Sequence, residues 1–235
     1  MAFAQDDVDF EQWYQGETAM GSTMPWDIGR PQPALVALVD SGQVRGDVLD
    51  IGCGLGNNSI FLASRGFAVT GVDGSQTALT EARRRAGDLG IDFQQGEATS
   101  LAGLEGRFDT VVDSALYHCL TPAQRHEYVD ALVRVTRPGA LLHIFCFSTD
   151  LPAQFPAPFR ITEANLRETV GSKWTITHLG PALYDTNMNG EAFLGMVRAL
   201  VPESDVPRAA ALEVPVDERG NLRLAMWQLT ATRAE

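Results

Sequence analysis

Lysine is almost missing from the 235-residue sequence: of 18 basic residues, Lys173 is the single lysine. A Walker A loop needs Gly-Lys-Ser/Thr and is therefore excluded, and Schiff-base chemistry is left with one candidate. Cysteine is scarce too. Cys53, Cys119 and Cys146 form no C-x-x-C pair and cannot all pair with one another, which fits reduced thiols in a reducing, cytoplasmic compartment. Four scattered histidines add no zinc spacing, so no metal is expected. No apolar run approaches the roughly 20 residues of a membrane span. Positive charge is in the minority, 18 basic against 30 acidic residues for a net charge of −12. Such a surface repels phosphate backbones and argues against a nucleic-acid partner. The front end is acidic (Asp6, Asp7, Asp9, Glu11), wrong for a signal or transit peptide. What remains is a soluble protein with 45% hydrophobic residues, long enough to bury roughly 70% of its surface without a disulfide or metal staple.

From Asp47 onward short apolar segments alternate with helical patterns. Strands are expected at Val48–Ile51, Phe67–Val72, Ile91–Gln95, Phe108–Asp113 and Leu141–Phe147. Helices are expected after Gly56 to about Arg65, from Gln76 to about Leu89 behind the cap Ser75, and from Pro122 to just before Arg137-Pro138-Gly139. Arg83, Arg84 and Arg85 lie in the later half of the second of these, where they suit the negative end of the helix dipole. Alternation of this kind means an α/β fold, a parallel sheet with helices on both faces. Before it, residues 1–46 hold the aromatic anchors Trp13, Tyr14 and Trp26 and a short helix at Ala34–Val39. After Ser148 come a loop of Pro152, Pro156 and Pro158 interleaved with Phe155 and Phe159, a helix capped by Thr162, and a strand at Trp174–Leu179. A helix near Glu191–Leu200 and a terminal strand at Leu222–Ala231 close the chain, with 185–220 the least legible stretch. The expected organisation is one domain over 1–235: a front lid and substrate segment (1–46), a cofactor half (47–148) and a substrate-side half (149–235).

The strongest motif is Asp50-Ile51-Gly52-Cys53-Gly54-Leu55-Gly56-Asn57. Its glycines let the backbone turn sharply and let a ligand approach where a side chain would collide. It falls in the first strand-to-helix crevice, where open α/β sheets bind ligands. Asp73, closing the next strand, can accept from both hydroxyls of a ribose. A dinucleotide fold wants G-x-G-x-x-G, but here the glycines fall at 52, 54 and 56, and Asn57 stands at the last glycine position. Asp50 puts negative charge beside the ligand, which suits the ammonium and sulfonium of S-adenosylmethionine better than a pyrophosphate. The spacing thus argues against a nicotinamide oxidoreductase.

On these residues the chain resembles the class I S-adenosylmethionine-dependent methyltransferases over nearly its whole length. The resemblance implies a Rossmann-like, doubly wound seven-stranded sheet with a final antiparallel strand. It implies cofactor contacts from Asp50, Gly52, Gly54, Asn57, Asp73 and Gly74, from Glu97 and Ala98 facing adenine (members more often carry Asp at the Glu97 position), and from Ser114. Pro25-Trp26-Asp27-Ile28-Gly29-Arg30-Pro31-Gln32-Pro33 and Asp113-Ser114-Ala115-Leu116-Tyr117-His118-Cys119 are similar to segments of methyltransferases acting on thiols, halides, thiopurines and heterocyclic toxins. The overall likeness is to the heterocyclic toxin group, which methylates hydroxyquinoline-type compounds. The implied partner is a small aromatic acceptor methylated on oxygen or nitrogen. Transfer to a thiol or thiopurine, and a non-catalytic S-adenosylmethionine-binding regulator, are the competing readings.

Substrate contacts are expected from Trp13, Trp26, His118 and Phe155, because aromatic walls suit a flat acceptor and exclude water from methyl transfer. Phe159 is expected on the same wall. His118 is the catalytic candidate: an imidazole past the fourth strand could take a proton from the acceptor, or could instead order the loop through a backbone hydrogen bond. His126 and His143 read as structural, and Ser75 and Ser114 lack the G-x-S-x-G elbow of a hydrolase.

Overall fold

In the computed structural model, which describes residues 9–17, 24–152, 155, 157–200 and 202–234, the alternation resolves into a seven-stranded sheet. Asp6, Asp7 and Pro156 lie outside the described residues. The strands are β1 (Asp47–Ile51), β2 (Ala68–Asp73), β3 (Asp92–Gln95), β4 (Phe108–Ser114), β5 (Thr136–Phe147), β6 (Trp174–Asn189) and β7 (Asn221–Arg233). Their order is β3-β2-β1-β4-β5-β7-β6. The β1–β2, β1–β4, β2–β3 and β4–β5 pairs are parallel, and β7 runs antiparallel between β5 and β6. The order reverses at β1, so the crevice above β1 and β4 is the topological switch point.

The side-chain period of two sorts residues onto the sheet's two faces. Leu49, Val111, Leu142 and Ile144 pack with α5 (Pro122–Val135) and α6 (Glu163–Thr169). Their neighbours Val48, Val112 and Phe145 pack with α2 (Pro33–Asp40) and α3 (Asn57–Ser64). Helix starts are satisfied by side chains: Ser75 caps α4 (Gln76–Ala86), Thr162 caps α6, and Thr121 forms a reciprocal capping box with Gln124 on α5.

Three boundaries and two short helices differ from the sequence expectation. α4 stops at Ala86 because Gly87, at φ +55°, cannot continue a right-handed helix. β5 begins at Thr136, ahead of Leu141, with Pro138 and Gly139 accommodated where the β4–β5 register shifts between Phe108 and Thr110. β6 runs through Pro181 to Asn189; it lies at the sheet edge, where a missing N–H breaks no ladder. Finally, α1 (Phe10–Gln15) and α8 (Val206–Ala210) are short helices without a sequence forecast. α7 (Gly190–Leu200) and α8 bury Phe193, Met196, Val197 and Ala209 against Leu222 and Leu224 of β7, forming a satellite core at the end of the sheet.

Candidate active site

The loop after β1 passes through Gly52, Gly54 and Gly56 at φ +70°, +51° and +82°. This left-handed backbone strains any residue with a Cβ. Close approach adds a second reason: a Cβ on Gly54 would lie 2.7 Å from Tyr14 Oη, and one on Gly56 would lie 3.1 Å from Ala82 Cβ. Asp73, at the end of β2, accepts from Gly54 N–H through Oδ2 and from Ser75 N–H through Oδ1, both at 2.8 Å. The carboxylate thus joins the loop to the start of α4, and each oxygen keeps a second lone pair for a ligand. Burial raises its pKa above the ordinary carboxylate value. Gly74, Glu97 and Ala98 line the same cleft, with Gly96 N–H donating to Asp73 O at 3.1 Å.

Asp50 stands apart from the other candidates. It lies beneath the loop, 1% exposed, and does not line the cleft. Ser59 Oγ donates to its Oδ2 at 2.5 Å, while Oδ1 has no partner among the described residues. Burial, with Asp73 adding like charge, pushes its pKa up to about 6.

α1 and the Pro25–Pro33 segment line the cleft beside the glycine loop. Glu11 of α1 accepts from Ser75 Oγ at 2.5 Å and from the Thr77 hydroxyl, and these bonds hold its pKa down to about 2. Tyr14 Oη accepts from Trp26 Nε1 at 3.0 Å. Trp13 meets Trp26 edge to face, with centroids 5.2 Å apart, so both tryptophans line the cleft and pack on one another. The Pro25–Pro33 segment is pinned at two points. Asp27 receives two bonds from Arg85, both 2.9 Å, and one from Asn57 Nδ2 at 2.8 Å. Arg30 pairs with Asp185 of β6 at 2.7 Å, and Gln32 exchanges two bonds with the Asp185 backbone. Asn57 therefore lines the cleft with its amide already engaged by Asp27.

At the other end, β4 turns through Ala115, whose φ of +82° is rare for a residue with a Cβ. Asp113 holds this turn: Oδ1 accepts from the Leu116 and Tyr117 amides at 2.9 and 3.2 Å, and Oδ2 from Tyr128 Oη at 2.8 Å. The turn delivers His118 to the cleft wall. Its Nδ1 accepts from Phe147 N–H at 3.1 Å, and its ring stacks on Phe147 with centroids 3.9 Å apart. Burial, aided by the Arg125 cation, pulls its pKa down to about 3. Ser114 shares a 3.0 Å hydrogen bond with Tyr184 of β6, and both line the cleft. Phe155 lies in the wall, stacked on Phe193 at 5.5 Å. Phe159 does not: it packs in the core with Arg125 4.9 Å over its ring. Met188, Met196, Leu224 and Met226 complete an apolar lining.

Elsewhere His143 is buried between Thr230 Oγ1 and Gln43 O, while His126 and His178 are exposed. The three cysteines are unpaired. Among the described residues no cluster of His, Cys, Asp or Glu could hold a metal, and no helix is long and apolar enough to cross a membrane.

The cavity measures about 870 Å³, near the upper end for small-molecule sites and roomy enough for two ligands side by side. Residues 48–139 match a methyltransferase domain family. A 2-heptyl-1-hydroxyquinolin-4(1H)-one methyltransferase of Mycobacteroides abscessus is 35% identical over 231 residues, covering 95% of this chain and 96% of the relative. The chain belongs to the class I S-adenosylmethionine-dependent methyltransferases. A solved structure from work on the conversion of a disulfide bond into a thioacetal group during echinomycin biosynthesis superposes with a TM-score of 0.77 at 33% identity, covering 96% of this chain and 91% of that one. A probable thiol methyltransferase of Arabidopsis thaliana is 27% identical, over 60% of this chain and 61% of the relative.

The residues of this methyltransferase fit its cofactor. Asp73 keeps acceptor capacity for a ribose beside its bonds from Gly54 and Ser75, and Asp73 and Glu97 both line the cleft that a cationic ligand would enter. Sequence reading brought Gly52, Gly54, Asn57, Asp73, Gly74, Glu97, Ala98, Ser114, Trp13, Trp26, His118 and Phe155 to one cleft. It assigned no site role to Glu11, Arg125 or Tyr184, which reach partners on other elements, or to Asp113, which holds the turn after its own strand and reaches Tyr128 on α5. Asp113 alone carried a usable signal, an acid at a strand end directly before a turn, the same pattern that marked Asp73.

Proposed function

We propose that the methyltransferase acts on a small, flat aromatic heterocycle bearing an ionisable hydroxyl, of hydroxyquinoline type. The carrying observation is the division of the cleft. One end is glycine-rich and acidic; the other is walled by Phe147, Phe155, Met188, Met196 and Met226, with His118 among its titratable groups. The hydroxyquinolone acceptor for which the Mycobacteroides abscessus relative is named matches that lining in flatness, in its apolar heptyl chain and in its single hydroxyl.

S-Adenosylmethionine supplies an electrophilic methyl group on a cationic sulfur. The chain's part is to hold, orient and dry the reactants: Asp73 and Glu97 for the cofactor, Ser114 and Tyr184 beside it, and the aromatic wall for the acceptor. Holding two reactants in near-attack geometry can supply up to about 7–11 kcal/mol of a barrier. The front segment, residues 1–46, acts as the lid. In this reading the reaction caps a reactive heterocyclic hydroxyl, a detoxifying step in the cytoplasm, where unpaired cysteines stay reduced.

The test is incubation with labelled S-adenosylmethionine and a panel of hydroxyquinolines, phenols, thiols and thiopurines. Label is expected on hydroxyquinoline oxygen. Label confined to the sulfur acceptors would replace this reading with thiol methylation, and cofactor binding with no labelled product would leave a regulator.

A further inference from the structure

His118 is held so that one ring nitrogen is committed. Phe147 N–H donates to Nδ1 at 3.1 Å, so Nδ1 is the acceptor and the proton of the neutral ring sits on Nε2. Stacking on Phe147, with planes 23° apart, fixes the ring's orientation. A ring in this state can offer a hydrogen bond from Nε2 but has no lone pair there to take a proton. This differs from the usual imidazole base.

A buried cation stands near it. Arg125 of α5 is 5% exposed, its guanidinium lies 4.9 Å from the Phe159 ring centroid and 5.5 Å from that of Tyr117, and its Nε and Nη2 have no hydrogen-bond partner among the described residues. Among the described residues the titratable groups facing it are His118, Tyr117, Cys119 and Cys146, none a carboxylate. Asp113, at the end of β4, is fully engaged by the Leu116 and Tyr117 amides and Tyr128 Oη, and burial holds its pKa up to about 7. The same burial and the Arg125 charge keep the His118 ring neutral. The cleft is therefore polarised: Asp73 and Glu97 line one end, and behind His118 at the other lies a guanidinium with no ion pair among the described residues.

We propose that the acceptor binds and reacts as its anion, with His118 Nε2–H donating to the anionic oxygen and Arg125 supplying positive potential from behind. The inference rests on the methyl-transfer reading above and narrows its substrate class to acceptors that ionise near neutral pH. The acceptor loses its proton to solvent before it binds. An oxygen lone pair then forms the bond to the methyl carbon as the carbon–sulfur bond breaks, and that electron pair returns to sulfur. No side chain takes a proton. Uncharged aliphatic alcohols and weakly acidic phenols of the same shape are poor acceptors.

The experiment uses the whole protein saturated with S-adenosylhomocysteine, whose sulfur is neutral, and 2-heptyl-1-hydroxyquinolin-4(1H)-one as the probe. Absorbance titration reads the ionisation of the bound probe. Its pKa is expected to fall by roughly one to three units on binding, as beside a fixed positive charge. His118→Ala should lose part of this shift and His118→Gln, which keeps an N–H donor, should restore it. Nitrogen NMR of the wild-type imidazole, which needs no variant to fold, should show the proton on Nε2. Across a substituted hydroxyquinoline series, the rise of kcat/KM with pH should track each acceptor's own ionisation. A bound probe that stays protonated, a proton on Nδ1, or one fixed enzymatic pKa across the series would overturn the proposal while leaving methyl transfer intact. Failure of every acceptor in the series to be methylated would overturn both.

Discussion

Replacing Gly54 with alanine isolates how the front helix is fitted to the cofactor loop. Gly54 sits at φ +51°, where a Cβ costs about 1–2 kcal/mol. The alanine's stiffer unfolded chain returns about 0.4–1 kcal/mol. The new Cβ would also lie 2.7 Å from Tyr14 Oη, too close for any real contact. Tyr14 must move, and its bond from Trp26 Nε1, now 3.0 Å, is lost at about 0.5–1.5 kcal/mol. The net loss is about 1–2 kcal/mol, or roughly 2–8 °C in Tm for a chain of this size. Tyr14→Phe provides the internal control. Without the hydroxyl, the nearest Tyr14 ring atom stands 3.8 Å from that Cβ, an ordinary contact. Urea denaturation of the wild type, both single variants and the double variant should therefore show Gly54→Ala costing about 0.5–1.5 kcal/mol less in the Tyr14→Phe background. Equal costs in both backgrounds would refute the claim that Tyr14 seats on this glycine.

Asp73→Ala should weaken S-adenosylhomocysteine binding roughly ten- to hundredfold in calorimetry, at about 1.5–3 kcal/mol per lost charge-assisted bond; unchanged affinity would remove Asp73 from the site. Deleting residues 1–16 removes α1 and its Glu11 and Tyr14 contacts, so turnover should fall and bound S-adenosylhomocysteine should dissociate faster while far-UV circular dichroism keeps the sheet's signal. Loss of that signal would make the segment part of the fold instead of a lid. Asp50 and Asp113 have folded pKa values raised to about 6 and about 7, above an unfolded value near 3.9. The folded state holds these protons more tightly, so their contribution to stability is present below about pH 4 and is lost as pH rises toward 7. Thermal melts should show that decline, and Asp113→Asn, neutral at every pH, still accepting from the Leu116 and Tyr117 amides and able to donate to Tyr128 Oη in place of accepting from it, should flatten it; an unchanged slope would show that Asp113 is already ionised in the fold.

What the sequence determined by itself was local. The alternation of apolar strands with capped helices was legible because each element's period and cap lie within a few residues of one another, as with Ser75 before α4 or Thr162 before α6. The cofactor loop was legible for the same reason: Gly52, Gly54 and Gly56 take left-handed backbone conformations that chemistry reserves for glycine wherever they occur. Pro181 and Pro138 misled because a proline reads as a break until its strand's place is known. Only the sheet order shows that β6 is an edge and that β5 changes register beside Pro138. Phe159 looked like its neighbour Phe155, yet Arg125 and the core claim it, since loop side chains are sorted by what packs against them and not by their spacing. The same holds at the reacting end. His118 could be named from the segment after β4, but the partner of its Nδ1 is an amide on β5, and burial with a guanidinium on α5 keeps its ring neutral, surroundings that folding alone brings to it.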